Sequence, residues 1–421
     1  MIRFYNGKLL SLRDGSMAVT NDEVWTKDDR IEYVGPARAD APVFEREVDL
    51  HGDLLMPGFK NAHAHGAMTF LRSYADDLPL HEWLFDRVFP LEARLNADRV
   101  YAFTRLAILE YLTSGITAAF DMYMYPDSVA QAGIDCGFRT VLCGSLTANN
   151  DWEELASEHA RFNGVNPLLS HMLGFHAEYT ASVPMLEYVA ALAQKEKAPV
   201  WSHHSETRSE VDECIARHGK TPTALFDDLG LFQYGGGGYH CVYLTKEDRE
   251  IFLKRGLWAV TCPASNAKLA SGIAEITTMR GEGVHMAIGT DGPASNNALD
   301  MFREMYLTCV LQKLRENNAA ACDADDVLRM AARDGALAMG LNNCDCIAPG
   351  KQADMIVLDM SRPNMRPPHC LTKNIVYSGS KENVRLTMIA GRILYENGEF
   401  FVGEDPERIY AEAEREVAAM L

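Results

Sequence analysis

The sequence predicts an α/β fold: a (β/α)8 TIM barrel with a small β-sandwich built from the two ends of the chain. Between residues 56 and 345, apolar strand-like runs alternate with helical segments, and eight such units can be counted. Alternation of strand and helix over this length is typical of a parallel sheet, and eight units imply that the sheet closes. Short strand-like segments separated by Gly and Asp precede this region, and further strand-like segments follow it.

These changes in sequence pattern divide the chain into four segments. We expect residues 1–55 and 346–402 to form the β-sandwich, residues 56–345 to form the barrel, and residues 403–421 to end in a surface helix over 406–421. The predicted barrel strands are NAHAH, ITAAFDM, RTVLCGS, LSHMLGFHA, APVWSHH, GGYHCVYL, LWAVTCP and HMAIGTD. The predicted C-terminal strands are ADMIVLDM, NIVYSGS and VRLTMIAGRILYENGEF.

Composition limits the possible partners and the compartment. The net charge of −19 argues against a nucleic-acid partner, because nucleic-acid binding depends on clustered Lys and Arg. The N-terminal run MIRFYNGKLL has neither a signal-peptide pattern nor a membrane span, so no membrane partner is expected. Ten cysteines without framework spacing fit reduced thiols in a cytoplasm, and the lone pair Cys344 and Cys346 is not expected to bind metal.

Histidines recur where predicted barrel strands end. His63 and His65 stand two apart on the first strand, so their side chains point the same way and can share one metal. The ends of later strands carry His176, His203, His240 and Asp291. In a TIM barrel the carboxyl ends of the strands carry the chemistry, so these side chains are expected to meet there.

Four of these residues, His63, His65, His203 and Asp291, offer three nitrogens and one oxygen with room for a water. That composition predicts a catalytic metal site rather than a structural one. Asp291 alone could instead cap a helix over 298–314. Glu206, three residues after His203, is either a proton carrier beside the metal or a solvated loop acid.

Several motifs resemble those of the methylthioadenosine/S-adenosylhomocysteine deaminases. This family belongs to the amidohydrolase superfamily, in the branch that also holds triazine hydrolases and guanine deaminases. The resemblance covers nearly the whole chain, and it is carried by PGFKNAHAHGAMTFLRSYADDLPLHEWLFDRVFPLEARL, HHSET (203–207), HCVYL (240–244), PASNAKLASGIA (263–274), GTDGPASNNALDMFREM (289–305) and GKQADMIVLD (350–359).

The resemblance implies a role for each candidate residue. The metal ligands would be His63, His65, His203 and Asp291; the catalytic groups would be Glu206, His240 and Asp291; and the substrate-binding groups would be Glu92, His176 and Glu206. Glu206 would shuttle protons, His240 would orient the attacking water, His176 would contact the purine and Glu92 would hold the ribose hydroxyls. From its own position, Glu92 reads as a helix-surface acid.

The resemblance also implies a cofactor and a substrate. One divalent metal per chain is expected, Zn2+ first, with Fe2+ or Mn2+ as alternatives, because no lysine near His176 could bridge a second metal. The substrate would be an adenine nucleoside: methylthioadenosine, 5′-deoxyadenosine, adenosine or S-adenosylhomocysteine. We also expect a homo-oligomer, either a dimer or a tetramer.

The sequence departs from the family pattern at several points. Thr261-Cys262-Pro263 replaces a His-Asn-Pro, Tyr243 replaces a histidine, and glycines at 235–238 predict a looser sixth strand. After the second strand the only arginine is Arg139, which is expected in the barrel wall rather than on a substrate carboxylate.

Three other functions can be compared with the sequence. A relative acting on guanine, a pterin or an s-triazine would share the metal site, although Glu92 and the DDLPLHEWL stretch favour a ribose-bearing substrate. The zinc deaminases with H-x-E and P-C-x-x-C are rejected, since the chain has no P-C-x-x-C. A scaffold without catalysis would be expected to lose metal ligands, and all four candidates are present.

Overall fold

The described strands form three sheets, one of which is a ring of parallel strands. The structure is a computed structural model that describes residues 1–13, 16–78 and 82–421. The strands are β1 (Ile2–Tyr5), β2 (Lys8–Arg13), β3 (Ser16–Thr20), β4 (Glu23–Lys27), β5 (Arg30–Gly35), β6 (Arg46–Asp49), β7 (Leu54–Pro57), β8 (Phe59–Ala64), β9 (Ile116–Asp121), β10 (Arg139–Cys143), β11 (Leu169–Gly174), β12 (Val200–His204), β13 (Gly236–His240), β14 (Trp258–Thr261), β15 (His285–Ile288), β16 (Met355–Leu358), β17 (Val384–Ile389), β18 (Arg392–Glu396) and β19 (Glu399–Phe400).

Helices connect these strands and cover the outside of the ring. They are α1 (Phe89–Glu92), α2 (Ala97–Thr113), α3 (Pro126–Cys136), α4 (Glu153–Phe162), α5 (Val183–Glu196), α6 (Arg208–His218), α7 (Pro222–Asp228), α8 (Lys246–Arg255), α9 (Pro263–Lys268), α10 (Ile276–Glu282), α11 (Met301–Arg315), α12 (Ala324–Arg329), α13 (Gly335–Ala338), α14 (Leu371–Tyr377) and α15 (Pro406–Met420). Shorter helical turns lie at Gly66–Leu71, Trp83–Val88, Glu178–Thr180, Met330–Asp334, Pro363–Met365 and Lys381–Asn383. Of the helices in these described ranges, none is long and apolar enough to cross a membrane.

Strands β8 to β15 follow one another around the ring in chain order, each parallel to the next. The ring nearly closes where Ala64 bridges to Asp291 and the Thr290 N–H donates to the carbonyl of His63. This architecture confirms the predicted (β/α)8 barrel. Its closure brings the end of the first strand against the segment that follows the last strand.

The glycines before His240 let the sixth barrel strand pack tightly, so the expected looser strand is wrong. A Cβ atom at Gly236 would lie 2.0 Å from the carbonyl oxygen of Val200, and one at Gly237 would lie 2.2 Å from that of Trp258. Both neighbouring backbones therefore occupy the space of a side chain. Trp201 and Tyr239, with ring centroids 5.6 Å apart, fill the barrel interior beside these glycines.

Both ends of the chain contribute to the two remaining sheets. One sheet has the order β5-β4-β1-β6, and the other has the order β19-β18-β17-β16-β7-β2-β3, in which β7 pairs antiparallel with β16. Side chains from both sheets share one apolar cluster that includes Phe4, Val24, Leu55, Val357 and Leu386. The sheets therefore pack face to face as a sandwich, while the segment boundaries at residues 55, 345 and 402 remain predictions.

The predicted strand NIVYSGS is wrong, because most of this segment lies in helix α14. Thr372, Ile375 and Val376 are buried at helical spacing, and the helix packs against α11 and α12. The β-branched residues of this segment suggested a strand, but the contacts with two neighbouring helices override that preference.

A buried ion pair joins the amino end of the barrel to the sandwich. Arg139 at the start of β10 donates to both carboxylate oxygens of Asp354, at 2.7 and 3.0 Å. Asp354 also accepts the backbone N–H of Ala390 at 2.8 Å. Both charged side chains are almost fully excluded from solvent. This confirms that Arg139 belongs to the barrel wall, away from the carboxyl ends of the strands.

We expect Asp354→Ala to destabilise the protein by about 3–5 kcal/mol, because it leaves the guanidinium of Arg139 buried without its partner. Equilibrium urea unfolding measures the loss. The control is Asp40→Ala, which breaks the exposed pair between Arg38 and Asp40 and should change stability very little. Equal unfolding midpoints for Asp354→Ala and the unmodified protein would contradict this role for the pair.

Candidate active site

The predicted site residues converge at the carboxyl end of the barrel. His63 lies on β8 with His65 immediately after that strand, and His203 lies on β12. His240 is the last residue of β13, and Asp291 follows β15 by three residues. All five side chains are buried, so the fold removes five polar groups from water and places them side by side.

Three distances among the predicted ligand atoms are close to those between neighbouring ligands of one metal ion. Nε2 of His65 lies 3.2 Å from Nε2 of His203 and 3.2 Å from Oδ1 of Asp291, and Nε2 of His63 lies 3.5 Å from the same Oδ1. Bonds of about 2.0–2.1 Å to a tetrahedral ion would separate ligand atoms by roughly 3.3 Å. One nitrogen of His240 also lies within 4.8 Å of ligand atoms from His63, His203 and Asp291.

Backbone carbonyls orient two of the imidazoles. Nδ1 of His65 donates to the carbonyl of Met122 at 2.5 Å, and Nδ1 of His203 donates to the carbonyl of His176 at 2.8 Å. The proton on Nδ1 leaves the lone pair of Nε2 directed into the centre, which is the usual arrangement of metal-binding histidines.

His63 gives an independent indication that the centre holds a metal. The side chain is fully buried, and neither ring nitrogen has a hydrogen-bond partner among the described residues. The ring stacks on Tyr239 with centroids 3.8 Å apart. A buried imidazole without a partner is unfavourable, and a metal bound at Nε2 would satisfy that nitrogen.

Asp291 presents one oxygen to the histidines and has the other fixed. Oδ2 accepts hydrogen bonds from the hydroxyls of Ser265 at 2.5 Å and Ser295 at 2.8 Å. The alternative that Asp291 caps the following helix is wrong. Asp300 is the N-cap of α11, and its side chain accepts from the N–H groups of Phe302 and Arg303.

The protonation states of three of the four predicted metal ligands favour cation binding. Burial lowers the pKa of His63 to about 3, and burial together with neighbouring histidines lowers that of His203, so both rings are neutral. Burial would raise the pKa of Asp291, but His63 and His65 hold it well below its usual value. For His65, burial is outweighed by Asp291 and the Met122 carbonyl, which raise its pKa to about 9. A proton therefore competes with a metal at that ring.

Glu206 lies at the edge of the centre rather than in solvent. Its Oε1 accepts from the hydroxyl of Ser271 at 3.1 Å, and its Oε2 lies 3.8 Å from Nε2 of His240. Nδ1 of His240 donates to the side-chain oxygen of Asn266 at 2.7 Å, which directs Nε2 towards the site. The backbone N–H of Glu206 is held by the buried carboxylate of Glu210 at 2.7 Å.

The other two residues predicted to bind substrate, besides Glu206, border the same space. The ring centroid of His176 lies 4.9 Å from that of His203, its Nδ1 is 2.9 Å from the hydroxyl of Thr180, and burial lowers its pKa to about 4. Glu92 at the end of α1 accepts a hydrogen bond from the hydroxyl of Tyr123 at 2.7 Å, and burial raises its pKa. Of the DDLPLHEWL stretch before it, residues 79–81 lie outside the described residues.

A cavity of about 590 Å3 extends from Tyr123 between the loops after β9 and β10 and helix α4. Its lining residues are Tyr123, Met124, Tyr125, Pro126, Asp127, Ser145, Leu146, Asn150, Glu154, Ser157, Glu158 and Arg161. The guanidinium of Arg161 pairs with Asp127 at 2.6 Å. The lining thus carries three acids and one base that already has an anionic partner.

Residues that orient the site were missed from the sequence. Ser265, Asn266, Ser271 and Ser295 fix Asp291, His240 and Glu206, as described above. They lie in PASNAKLASGIA and GTDGPASNNAL, where serines and asparagines follow two barrel strands directly. That clustering is the signal that could have identified them, because hydroxyl and amide groups at the carboxyl ends of barrel strands face the site.

Comparisons with known proteins agree with this geometry. Residues 54–394 match the model of the amidohydrolase family. A 5-methylthioadenosine/S-adenosylhomocysteine deaminase from Pelotomaculum thermopropionicum is 36% identical over 96% of this chain and 93% of its own. A 5′-deoxyadenosine deaminase from Methanothermobacter thermautotrophicus is 37% identical over 94% of this chain and 92% of its own. An adenosine deaminase from Xanthomonas campestris, solved with bound zinc, superposes with a TM-score of 0.94 at 32% identity, covering 100% of this chain and 98% of that one.

Proposed function

The chain belongs to the amidohydrolase family, and from this premise we propose that it is a metal-dependent deaminase of adenine nucleosides. The observation that carries the proposal is the set of three imidazoles and one carboxylate, which are linked by three contacts of 3.2–3.5 Å between ligand atoms. Relatives named as deaminases of methylthioadenosine, S-adenosylhomocysteine and 5′-deoxyadenosine support the substrate class.

His63, His65, His203 and Asp291 would hold one divalent metal, which we propose to be zinc. The unpartnered His63 and the carbonyl-oriented Nε2 atoms of His65 and His203 support this donor set. Histidine nitrogens combined with a carboxylate, without thiolates, are donors found in catalytic zinc sites such as those with two histidines and one glutamate. When bound, the metal supplies a water activated for nucleophilic attack near neutral pH.

The acidic groups around the centre would then move the protons. Hydrolysis adds water across the bond between C6 and the adjacent ring nitrogen of adenine, then breaks the bond from C6 to the exocyclic nitrogen and releases that nitrogen as ammonia. Glu206 would transfer one proton of the water to the ring nitrogen, and Asp291 would accept the second proton and deliver it to the departing amine. His240, fixed by Asn266, would direct Nε2 at the attacking oxygen.

His176 and Glu92 would select the nucleoside. Nδ1 of the neutral His176 ring is engaged with Thr180, which leaves Nε2 to hydrogen-bond to the purine. Glu92 would accept hydrogen bonds from the ribose hydroxyls, with Tyr123 holding its other oxygen in place. A site built to pair with a hydroxyl discriminates strongly against analogues that lack it. A nucleoside should therefore react better than a free base.

The cavity beside Tyr123 would receive the 5′ substituent. Met124, Tyr125 and Leu146 offer apolar surface for a small thiomethyl group. An amino-acid carboxylate placed there would meet Glu154 and Glu158, and Arg161 is already paired with Asp127. Burying an unpaired charge is costly. Small apolar 5′ groups are therefore favoured over the homocysteine arm.

We expect methylthioadenosine and 5′-deoxyadenosine to have higher kcat/KM than S-adenosylhomocysteine. Ammonia release from the purified enzyme, measured with these three nucleosides, adenosine and guanine, tests this order. Preference for S-adenosylhomocysteine would contradict only the argument about the cavity. Preference for guanine would contradict the nucleoside assignment and favour the other members of the branch.

A further inference from the structure

A fully buried carboxylate on helix α11 joins the two loops that surround Asp291. Glu304 accepts the backbone N–H of Ala264 onto Oε2 at 3.1 Å and Nδ2 of Asn296 onto Oε1 at 2.7 Å. The side chain has no exposed surface, and both donors are neutral. Burial raises the pKa of this carboxyl to about 8, because two neutral donors offset little of the cost of burying its charge, yet the mechanism above makes no use of this group.

Each donor stands next to a residue that orients the metal centre. Ala264 precedes Ser265, whose hydroxyl donates to Asp291, and Asn266, whose side-chain oxygen accepts from His240. Asn296 follows Ser295, the second hydroxyl on Asp291. The same Nδ2 of Asn296 also donates to the carbonyl of Thr290, the residue before Asp291, at 2.7 Å. Glu304 therefore holds both sides of the Asp291 carboxylate through one side chain.

We propose that Glu304 is a positioning residue that sets the metal affinity of the centre by holding the Ser265 and Ser295 loops around Asp291. Its hydrogen bonds within the described part of the chain go to Ala264 and Asn296, neither of which is a proposed metal ligand. Its effect reaches the centre through the two serine hydroxyls, which fix Oδ2 and so aim Oδ1 at the histidines. This inference depends on the proposed metal centre and is independent of the identity of the nucleoside.

Glu304→Gln tests the idea with little change of shape. A glutamine offers one acceptor and one NH2 group, whereas both partners in the protein are donors. In either amide orientation, one N–H faces another, and one of the two loops is released. Loss of a direct partner of a metal ligand typically costs about 10–100-fold in metal affinity, and this change displaces one of the two serines that are such partners of Asp291. We expect a decrease of this size for zinc, lower kcat at limiting zinc and an unchanged KM.

The control is Gln312→Glu, a swap of the opposite sense on the same helix. Gln312 is also fully buried; its Oε1 accepts the N–H of Thr277 at 3.1 Å and its Nε2 donates to the carbonyl of Ala274 at 2.8 Å. Neither contact leads to Asp291. This variant should lower the melting temperature of the metal-free and zinc-loaded proteins alike, and leave the zinc affinity unchanged.

Two measurements on the full chain decide the proposal: the zinc dissociation constant by competition with a chromophoric chelator, and the rise in Tm on adding zinc. Weaker zinc binding and a smaller rise in Tm in Glu304→Gln, but not in Gln312→Glu, support it, because metal stabilises by mass action. Unchanged zinc affinity in Glu304→Gln would overturn it. If that variant does not fold, Asn296→Ala breaks the same link from the loop side, and unchanged affinity there would overturn the proposal equally. Neither readout uses turnover, so failure of the nucleoside assignment stays distinguishable.

Discussion

Glu206→Gln is expected to keep the metal and lose about 10²–10⁴-fold in kcat, the usual contribution of general acid–base catalysis. The amide keeps the shape of the side chain and can still accept from Ser271. It cannot take a proton from water and pass it to the ring nitrogen. The loss should therefore fall on kcat, while zinc content and KM stay close to those of the unmodified enzyme.

The matched control for Glu206→Gln is Glu213→Gln, on helix α6 of the same βα unit. Glu213 is largely exposed and makes a long contact with Arg217 at 3.4 Å, so this change should leave kcat unaffected. Steady-state kinetics with methylthioadenosine and metal analysis of both variants give the comparison. Near-normal turnover in Glu206→Gln would show that this residue is a solvated loop acid, the alternative that its sequence position also allows.

His203→Ala should abolish activity and remove most of the bound metal. The imidazole contributes an Nε2 that lies 3.2 Å from that of His65, and its removal leaves three of the four proposed ligands. His63→Ala, His65→Ala and Asp291→Ala should have the same effect, because each removes one of the four proposed ligands.

The neighbouring His204 provides the control, since it lies on the same strand and faces the helices. Its Nε2 bonds to the hydroxyl of Thr223 at 2.7 Å, and its ring lies among Phe226, Phe232 and Phe252. His204→Gln should lower stability and keep the metal. Metal analysis showing full occupancy in His203→Ala would show that the ligand assignment is wrong.

The strand ends could be predicted because they depend on two strong regularities. Apolar runs such as ITAAFDM identify buried parallel strands, and a barrel places all their carboxyl ends on one face. His63, His65, His203, His240 and Asp291 could thus be grouped across more than 200 residues of chain. The structure places them within contact of one another.

The features that were missed or wrongly predicted depend on packing between distant segments. Ser265 and Ser295 matter because their loops converge on one carboxylate, a geometry that local sequence does not encode. The glycines at 236 and 237 predicted a looser strand, yet the backbones of the neighbouring strands leave no room for a side chain at either position. The segment predicted as a strand forms helix α14 instead, because it packs against two helices distant in sequence.

The measurement that tests the proposed function most directly is product identification after zinc-loaded enzyme is incubated with methylthioadenosine. We predict conversion to methylthioinosine with one equivalent of ammonia per nucleoside, and no conversion by His203→Ala prepared in the same way. Release of free adenine would show cleavage of the glycosidic bond instead of deamination. That product, or unchanged methylthioadenosine alongside rapid deamination of guanine, would contradict the assignment of this chain as an adenine nucleoside deaminase.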